Sequence, residues 1–548
     1  MPWRSPSIHL LLLACFVAAA CVYMLFLEPW GHDTWFHLQR LQDIEQQFST
    51  GQIRAHFAEN AAQGKGLPVW VYYSQWVYWP PMLLSSMGVS PLISLKIVYC
   101  VALVVCCVGC YRLLRIDVGE GAATFGALLF MTSNYIIGEV FQRSAYAEFL
   151  SVSLLPLLIL ALHRTVLHQD RRSGATLVLL ASLMILFHPL SFMNAGCALV
   201  AYAAYTAIRR QIPIRQLLRV APLFALALGL TAFFWLPAVI ETRYVLGAEG
   251  VPTPLQDTFL TAWRYVNFTS VTNLGFVLTL FAPVVAGFLV FGHHPPDRPG
   301  RQAAWPLVGG IIFYVFLTLR VSEPLYINLP FLASNLWVWR VLFPLTLLVT
   351  IFVTVNLRAL PLQLQRDTIL GSVAGLAVLQ AGVFILWNSA SELTARRFEV
   401  QEIEQELASE SLRTEGFGID EYLPHPRMLP SPDERCGAVR SVVPTGRYEM
   451  SFVIALGDAD ACIHIPRYWN TRYAASIDSE VTPVYANTAG EMIIVPRGRV
   501  GVVTLRFKQP GYVTFSIFLS VAAAMYLLIG IARSRFSMTT NQNTPQST

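Results

Sequence analysis

The chain has 548 residues, 55% hydrophobic and only 13% charged, against about 25% charge in a typical water-soluble domain. That balance excludes an ordinary soluble domain. A net charge of +5, with lysine only at Lys65, Lys96 and Lys508, reads as membrane topology rather than as a nucleic-acid surface.

Apolar blocks of about 17–22 residues, each long enough to cross about 30 Å of hydrocarbon, recur along the chain. They predict about twelve spans, near 8–27, 92–112, 121–138, 149–168, 174–188, 191–208, 217–238, 273–292, 303–319, 338–357, 368–388 and 511–532. The first run resembles a signal peptide, with Leu12-Leu13-Ala14-Cys15 like a lipoprotein box. It continues well past that cysteine and reads as an uncleaved span. His188-Pro189 divides two short spans, or kinks one long one. With the N-terminus inside, the inner turns collect the arginines, among them Arg112, Arg115, Arg171, Arg172, Arg209, Arg210, Arg533 and Arg535. The positive-inside rule then places both termini in the cytoplasm and the long segments 28–91, 239–272 and 389–510 outside.

The first outer segment opens Glu28-Pro29-Trp30-Gly31-His32-Asp33-Thr34-Trp35-Phe36-His37. Trp35, Leu38, Leu41, Ile44 and Phe48 recur at helical spacing, so a helix lying in the interface plane is expected. Asp33 stands where it would cap that helix. The aromatic stretch Tyr72 to Trp79 reads either as an interfacial belt or as a wall for a lipid or sugar. Residues 389–510 turn polar. They predict a helix from Ser391 to about Ser409, then strands at Arg447–Ile454, Ala461–Ile465, Glu491–Val495 and Val500–Phe507. Cys436 and Cys462 are the only cysteines there, and an extracytoplasmic site permits a disulfide. The fold class is therefore an all-α polytopic membrane protein with a small mostly-β domain before the last helix.

Ionisable groups at membrane depth are costly, so each needs a reason. Asp33, Arg143, Glu148, His188, Glu241, Arg243, Arg320 and Arg340 all fall on the outer side, and Lys65 lies in a loop there. Each has a plain structural explanation. Asp33 serves as a helix cap, His32 and His37 as helix-face hydrogen-bonding groups rather than metal ligands, Arg143 with Glu148 as an ion pair. Glu241 pairs with an arginine, and His188 is a satisfied group at a helix break. Together they suit a sugar carried on polyprenyl phosphate. Arginine forks hold phosphate oxygens, a fixed cation stabilises the leaving phosphate, and a carboxylate takes the acceptor's proton. No zinc spacing, P-loop or dinucleotide fingerprint is present, and neither a metal nor another cofactor is expected.

Gly31-His32-Asp33-Thr34-Trp35-Phe36-His37-Leu38, directly after a first span, resembles the first outer loop of membrane glycosyltransferases of the GT-C superfold. With Arg143-Ser144-Ala145-Tyr146-Ala147-Glu148, Phe233-Phe234-Trp235-Leu236-Pro237 running to Glu241, Trp339-Arg340 and Glu421-Tyr422-Leu423-Pro424, it is most similar to the bacterial "6-pyruvoyl-tetrahydropterin synthase-related" membrane proteins. The resemblance implies Asp33 as base on the acceptor hydroxyl and a polyprenyl-phosphate sugar donor. It implies transfer with inversion on the periplasmic face of the inner membrane. It points to Arg143, Glu148, Glu241 and Arg340 as donor contacts; His32, His37, Lys65, His188, Arg243 and Arg320 join the candidate donor-binding set by their place on the outer side, not by the resemblance. It also implies a catalytic module over 1–238, a variable membrane module over 239–388, the β domain over 389–510, and a last span with a cytoplasmic tail over 511–548. The acceptor is a glycan, lipid or protein. Two positions depart from the pattern: Arg54-Ala55 stands where an arginine–tryptophan pair is expected, and Ser144 where a glycine is. Two other functions remain open. A transporter or flippase would want polar groups near the midplane and an internal repeat. A non-catalytic envelope assembly protein would tolerate loss of Asp33.

Overall fold

A computed structural model describes residues 8–27, 33–245 and 439–541 with short gaps, 299–357 likewise, and isolated positions between 259 and 291. The helices of the first half are α1 (Ile8–Val22), α2 (Thr34–Ser49), α3 (Val69–Tyr72), α4 (Trp79–Ser86), α5 (Pro91–Leu114), α6 (Glu120–Met131) and α7 (Asn134–Ile137). There follow α8 (Tyr146–Ser153), α9 (Leu155–His168), α10 (Arg171–Phe187), α11 (Pro189–Arg210), α12 (Ile214–Leu218), α13 (Ala221–Leu230) and α14 (Ala232–Glu241). The second half contributes α15 (Pro299–Thr318), α16 (Glu323–Asn328), α17 (Leu342–Leu357) and α18 (Gly511–Asn541).

Among the described residues six helices are long and apolar enough to cross a membrane, or up to eight if each of two bent pairs is one span. The expected twelve is therefore not reached. Span 368–388 and nearly all of 273–292 lie outside the described residues, as does the expected helix at 391–409. The α10 run fits a span in position but is only 17 residues long.

Local chemistry sets the helix ends. The Ser90 hydroxyl accepts from the Ile93 N–H, with Pro91 opening α5, where its missing N–H costs nothing. The His188-Pro189 reading resolves into two helices: His188 is extended (φ −156°), and its ring accepts from the Ser191 N–H at the start of α11. Pro237 lies within α14, and the pair made by 214–230 and 232–244 bends by 73°. In the bundle α5 packs on α6 and α9, α10 on α9 and α13, α11 on α15, and α14 on α18.

The β region holds eight strands: β1 (Val439–Ser441), β2 (Glu449–Ile454), β3 (Cys462–Tyr468), β4 (Tyr473–Ile477), β5 (Glu480–Thr482), β6 (Val484–Ala486), β7 (Glu491–Ile494) and β8 (Gly501–Phe507). They form two four-stranded sheets, ordered β1-β3-β7-β6 and β2-β8-β4-β5. All pairs are antiparallel except β1 with β3. Ile463, Ile465, Met492 and Ile494 of one sheet share a core with Met450, Tyr473, Ala475, Ile477, Val503 and Leu505 of the other. The alternating burial along β4 is what a strand with one face inward requires. The four strands expected from sequence fall on β2, β3, β7 and β8. The short β1, β5 and β6 give too few residues for alternation to register, and β4 (Tyr-Ala-Ala-Ser-Ile) is poor in β-branched residues. Cys462 is disulfide-bonded, and Cys436, its expected partner, lies outside the described residues.

Helix α2 buries more than its expected apolar stripe. Its apolar stripe is buried at Leu38, Leu41 and Ile44, but so are Gln39, Arg40, Asp43 and Gln47 on its other side. The helix is packed in protein on both faces over most of its length, with Gln46, Phe48 and Ser49 exposed near its C-terminal end. Gln47 bonds Asp43 and the Phe57 carbonyl, and Asp43 also accepts from Trp70.

Candidate active site

Asp33 occupies the N-cap position of α2 but its carboxylate makes no capping hydrogen bond. It faces Arg143 instead, with a carboxylate oxygen 3.6 Å from Nη2. The backbones are joined too: the Asp33 N–H donates to the Arg143 carbonyl at 2.9 Å. Arg143 ends a π-helical turn over Gly138–Arg143, a distortion that often marks functional positions. Ser144 then adopts a left-handed conformation (φ 56°). That conformation accounts for the glycine expected at this position, since only glycine enters it freely.

Around Arg143 the structure assembles a buried charge cluster. Its Nη1 lies 2.6 Å from Glu139 Oε1 and 3.5 Å from Glu148 Oε2. Arg340 Nε lies 3.3 Å from the same Glu148 oxygen, and the Tyr135 hydroxyl donates to Glu148 Oε1 at 2.7 Å. Burial pulls the Arg143 guanidinium toward neutrality, but Glu139, Glu148 and Asp33 outweigh it and hold the group charged. The Arg143 guanidinium also sits 5.9 Å from the centre of the Trp339 ring, which stacks on Trp337 at 4.5 Å. Asp33, with 31% of its side chain exposed, is the most open member; Glu139 and Glu148 are only 3% and 4% exposed.

His37 anchors this end of α2. The Tyr146 N–H donates to its Nε2 at 3.1 Å, so Nε2 is bare and Nδ1 carries the proton, which it donates to the Tyr78 hydroxyl at 2.8 Å. Burial pushes its pKa down to about 3, against the pull of Asp33. Arg40, fully buried, lies over the Phe36 and Tyr73 rings at 3.3 and 3.5 Å. A small cleft open to solvent is lined by Thr34, His37, Lys96, Ser144 and Tyr146 with Met24, Leu92, Leu95 and Tyr99. The Tyr146 hydroxyl is buried there with no hydrogen-bond partner among the described residues.

Other expected contacts are placed differently. Glu241 and Arg472 are each 1% exposed and form a bidentate pair, with Arg472 Nε 3.0 and 3.1 Å from the two carboxylate oxygens and Nη2 2.5 Å from one. The Tyr512 hydroxyl donates to Glu241 Oε1 at 2.9 Å, and the Tyr72 hydroxyl to the Glu241 carbonyl at 3.0 Å. Glu241 thus joins α14 to the β region and α18, a role its sequence neighbours did not disclose. Lys65 pairs with Glu491 of β7 at 2.8 Å, and that bond raises its pKa. Arg320 pairs with Glu323 at 3.5 Å and is largely exposed, and Arg243 bonds the adjacent Tyr244 hydroxyl. His188 bonds Ser191 and lies within electrostatic reach of Glu148, Arg340 and Arg143. His32 is outside the described residues. Among the described residues no cluster of three His, Cys, Asp or Glu is disposed to hold a metal ion.

Sequence reasoning missed Glu139, Tyr135 and Arg472. Glu139 was detectable as the i,i+4 partner of Arg143; Arg472, 231 residues from Glu241, carries no local signal.

A helical membrane bundle with a β sandwich at one end and a carboxylate–guanidinium cluster beneath an open aspartate defines the class. Residues 72–391, more than half the chain, match the family described as 6-pyruvoyl-tetrahydropterin synthase related domain, membrane protein; the chain belongs to that family. The matched stretch includes Arg143, Glu148, Glu241 and Arg340 but begins after Asp33. No curated protein matches the sequence. Among solved structures the chain is similar to the mycobacterial arabinofuranosyltransferase AftD, at 16% identity and TM-score 0.46, over 70% of this chain and 27% of that one. This chain thus spans about a quarter of that protein's length. It is also similar to ArnT from Cupriavidus metallidurans bound to undecaprenyl phosphate, at 12% identity and TM-score 0.40, over 89% and 98% of the two chains. A third likeness is to the oligosaccharyltransferase AglB from Archaeoglobus fulgidus, at 12% identity and TM-score 0.38, over 75% and 56%. These likenesses are too slight to carry an activity across.

Proposed function

We propose that the chain is an integral membrane glycosyltransferase. It moves a sugar from a polyprenyl-phosphate donor to an acceptor hydroxyl on the outer face of a bacterial inner membrane, with Asp33 as base. The observation that carries this reading is Asp33 itself: a half-open carboxylate, released from capping and held by Arg143 beside a mixed polar and apolar cleft. A structural cap would bond the first free N–H groups of its helix; the Asp33 carboxylate makes no such bond. The resemblance of Gly31–Leu38 to the GT-C first outer loop points to the same residue.

In the proposed reaction the acceptor oxygen attacks the sugar's anomeric carbon and loses its proton to the Asp33 carboxylate. The bond from that carbon to the phosphate oxygen breaks, and the phosphate keeps the electron pair, which inverts the anomeric centre. Arg143 and Arg340 are already engaged by Glu139, Glu148 and Asp33. Their part is to fix the carboxylates rather than to clamp phosphate. The cleft's Lys96, Thr34 and Ser144 offer the charge and hydroxyl groups that a leaving phosphate needs.

The test is Asp33→Asn in the full chain, reconstituted in lipid with polyprenyl-phosphate sugars. Loss of general-base catalysis predicts a fall of about 10²- to 10⁴-fold in transfer, with binding of undecaprenyl phosphate retained. Transfer at the parent rate would overturn the assignment.

A further inference from the structure

The β sandwich does not complete its core from its own strands. Phe57, from the loop after α2, is 2% exposed inside it, among Met450, Ile454, Ile463, Ile465 and Met492. Its ring meets Tyr473 and Phe507 edge-on, each at 5.7 Å. The same loop is closed by paired hydrogen bonds between Ala58 and Leu67, and the Tyr468 N–H donates to the Lys65 carbonyl at 3.0 Å. The loop is therefore seated in the sandwich by an aromatic plug, a backbone bond and the Lys65–Glu491 ion pair.

The plug is also tied to α2. The Phe57 carbonyl accepts from Gln47 Nε2 at 2.8 Å, and that nitrogen donates to Asp43 Oδ2 at 2.6 Å. The Trp70 indole N–H donates to the same Asp43 oxygen at 2.6 Å. Gln47 and Asp43 are 2% and 5% exposed, so water does not compete for these bonds. A continuous path runs from the sandwich core through Phe57 to the far end of the helix whose near end carries Asp33.

We infer that the β sandwich positions the aspartate-bearing helix, with Phe57 and Gln47 as its positioning residues. The importance of this inference for transfer rests on the reading of Asp33 as base. Asp33 and Gln47 are separated by about 21 Å of helix, so a tilt of about 3° at the anchored end moves the other by about 1 Å. A misplacement of that size costs on the order of 100-fold in rate. The near end has its own ties through His37 and Arg143, and the far anchor fixes the axis about which they act.

The experiment is amide hydrogen exchange on the full chain in lipid nanodiscs, comparing the parent with Gln47→Met, Phe57→Ala and a control, Val481→Ala, on an exposed strand position. Gln47→Met and Phe57→Ala are expected to speed exchange of α2 amides by about tenfold, the scale of one lost net hydrogen bond, with α5 and α6 unchanged and the control silent. Phe57→Leu, which refills most of the volume, is expected to restore the parent pattern. In the transfer assay the two variants lower kcat while KM for the polyprenyl-phosphate sugar holds. If Phe57→Ala does not fold, Gln47→Met alone decides, because it leaves the sandwich core intact. Faster exchange confined to residues 50–67 and the strands, with α2 at the parent rate, would overturn the inference. Exchange needs no substrate, so this result is separate from the outcome for Asp33→Asn.

Discussion

Replacing Arg472 by Met tests the buried junction between the bundle and the sandwich. The substitution keeps most of the aliphatic volume and removes the guanidinium, leaving Glu241 1% exposed with all three of its guanidinium contacts gone. Breaking a buried pair from one side costs about 3–5 kcal/mol, chiefly because a charge is stranded. The Tyr512 hydroxyl remains on Glu241 Oε1. Arg54, whose pKa is pushed down to about 10 by burial and then by Arg472, is close enough to feel both charges. Both soften the loss, so the lower end, about 3 kcal/mol, is expected. Hydrogen exchange of β4 and β8 amides reads it as an opening equilibrium raised by roughly 100-fold. The double variant Glu241→Leu/Arg472→Met removes the stranded charge and is expected to recover most of the loss, since replacing both members of such a pair is often nearly neutral. A single variant costing under about 1 kcal/mol, or a double variant as damaged as the single, would refute the reasoning.

Two further predictions concern the cluster itself. His37 is neutral in the fold, with a pKa near 3 against an ordinary 6.5, so the unfolded chain binds the extra proton between those values. Its contribution to stability is complete above about pH 6.5 and is lost as pH falls toward 3. Acid titration of thermal unfolding should therefore be flatter for His37→Gln than for the parent, and an unchanged slope would show that His37 titrates normally. Ser144→Gly relieves a left-handed residue (φ 56°) and is expected to raise stability by up to about 1 kcal/mol, net of glycine's entropy. A drop in the unfolding midpoint would mean that the Ser144 hydroxyl makes a larger contribution in the cleft than the backbone strain costs.

Six of the expected spans, or eight with the two bent pairs, were legible among the described residues, because the bilayer imposes one length and one polarity on each of them. The His188-Pro189 break was legible because proline disfavours the helical conformation of the residue before it. What the chain pairs at long range was not. Periodicity marked Leu38, Leu41 and Ile44 as a buried face of α2, but it reports that a face is covered and not by what. Nothing local announces that Gln47 and Asp43, polar and on the other face, are buried as well. Asp33 in a capping position predicts a cap; Arg143, about 110 residues on, draws the carboxylate away.

The charges expected on the outer face read from sequence as one group because the expected topology puts them all on one side. Contact divides them in two. Asp33, Glu139 and Glu148 gather on Arg143, with Arg340 on Glu148, whereas Arg472, Tyr512 and Tyr72 gather on Glu241. The division has a physical reason. A carboxylate proposed to take a proton from an incoming hydroxyl has to keep an open edge, and Asp33 is 31% exposed. A carboxylate meant to join three segments has to be sealed from water so that its bonds are worth their undiluted strength, and Glu241 is. The first outer loop reaches both centres, through Asp33 at one and Tyr72 at the other, and plants Phe57 in the sandwich between them in sequence. A perturbation at Glu241 and Arg472 therefore has a covalent route of about 40 residues to Asp33 as well as a packed one. It follows that the two centres, separate in chemistry, are coupled in position.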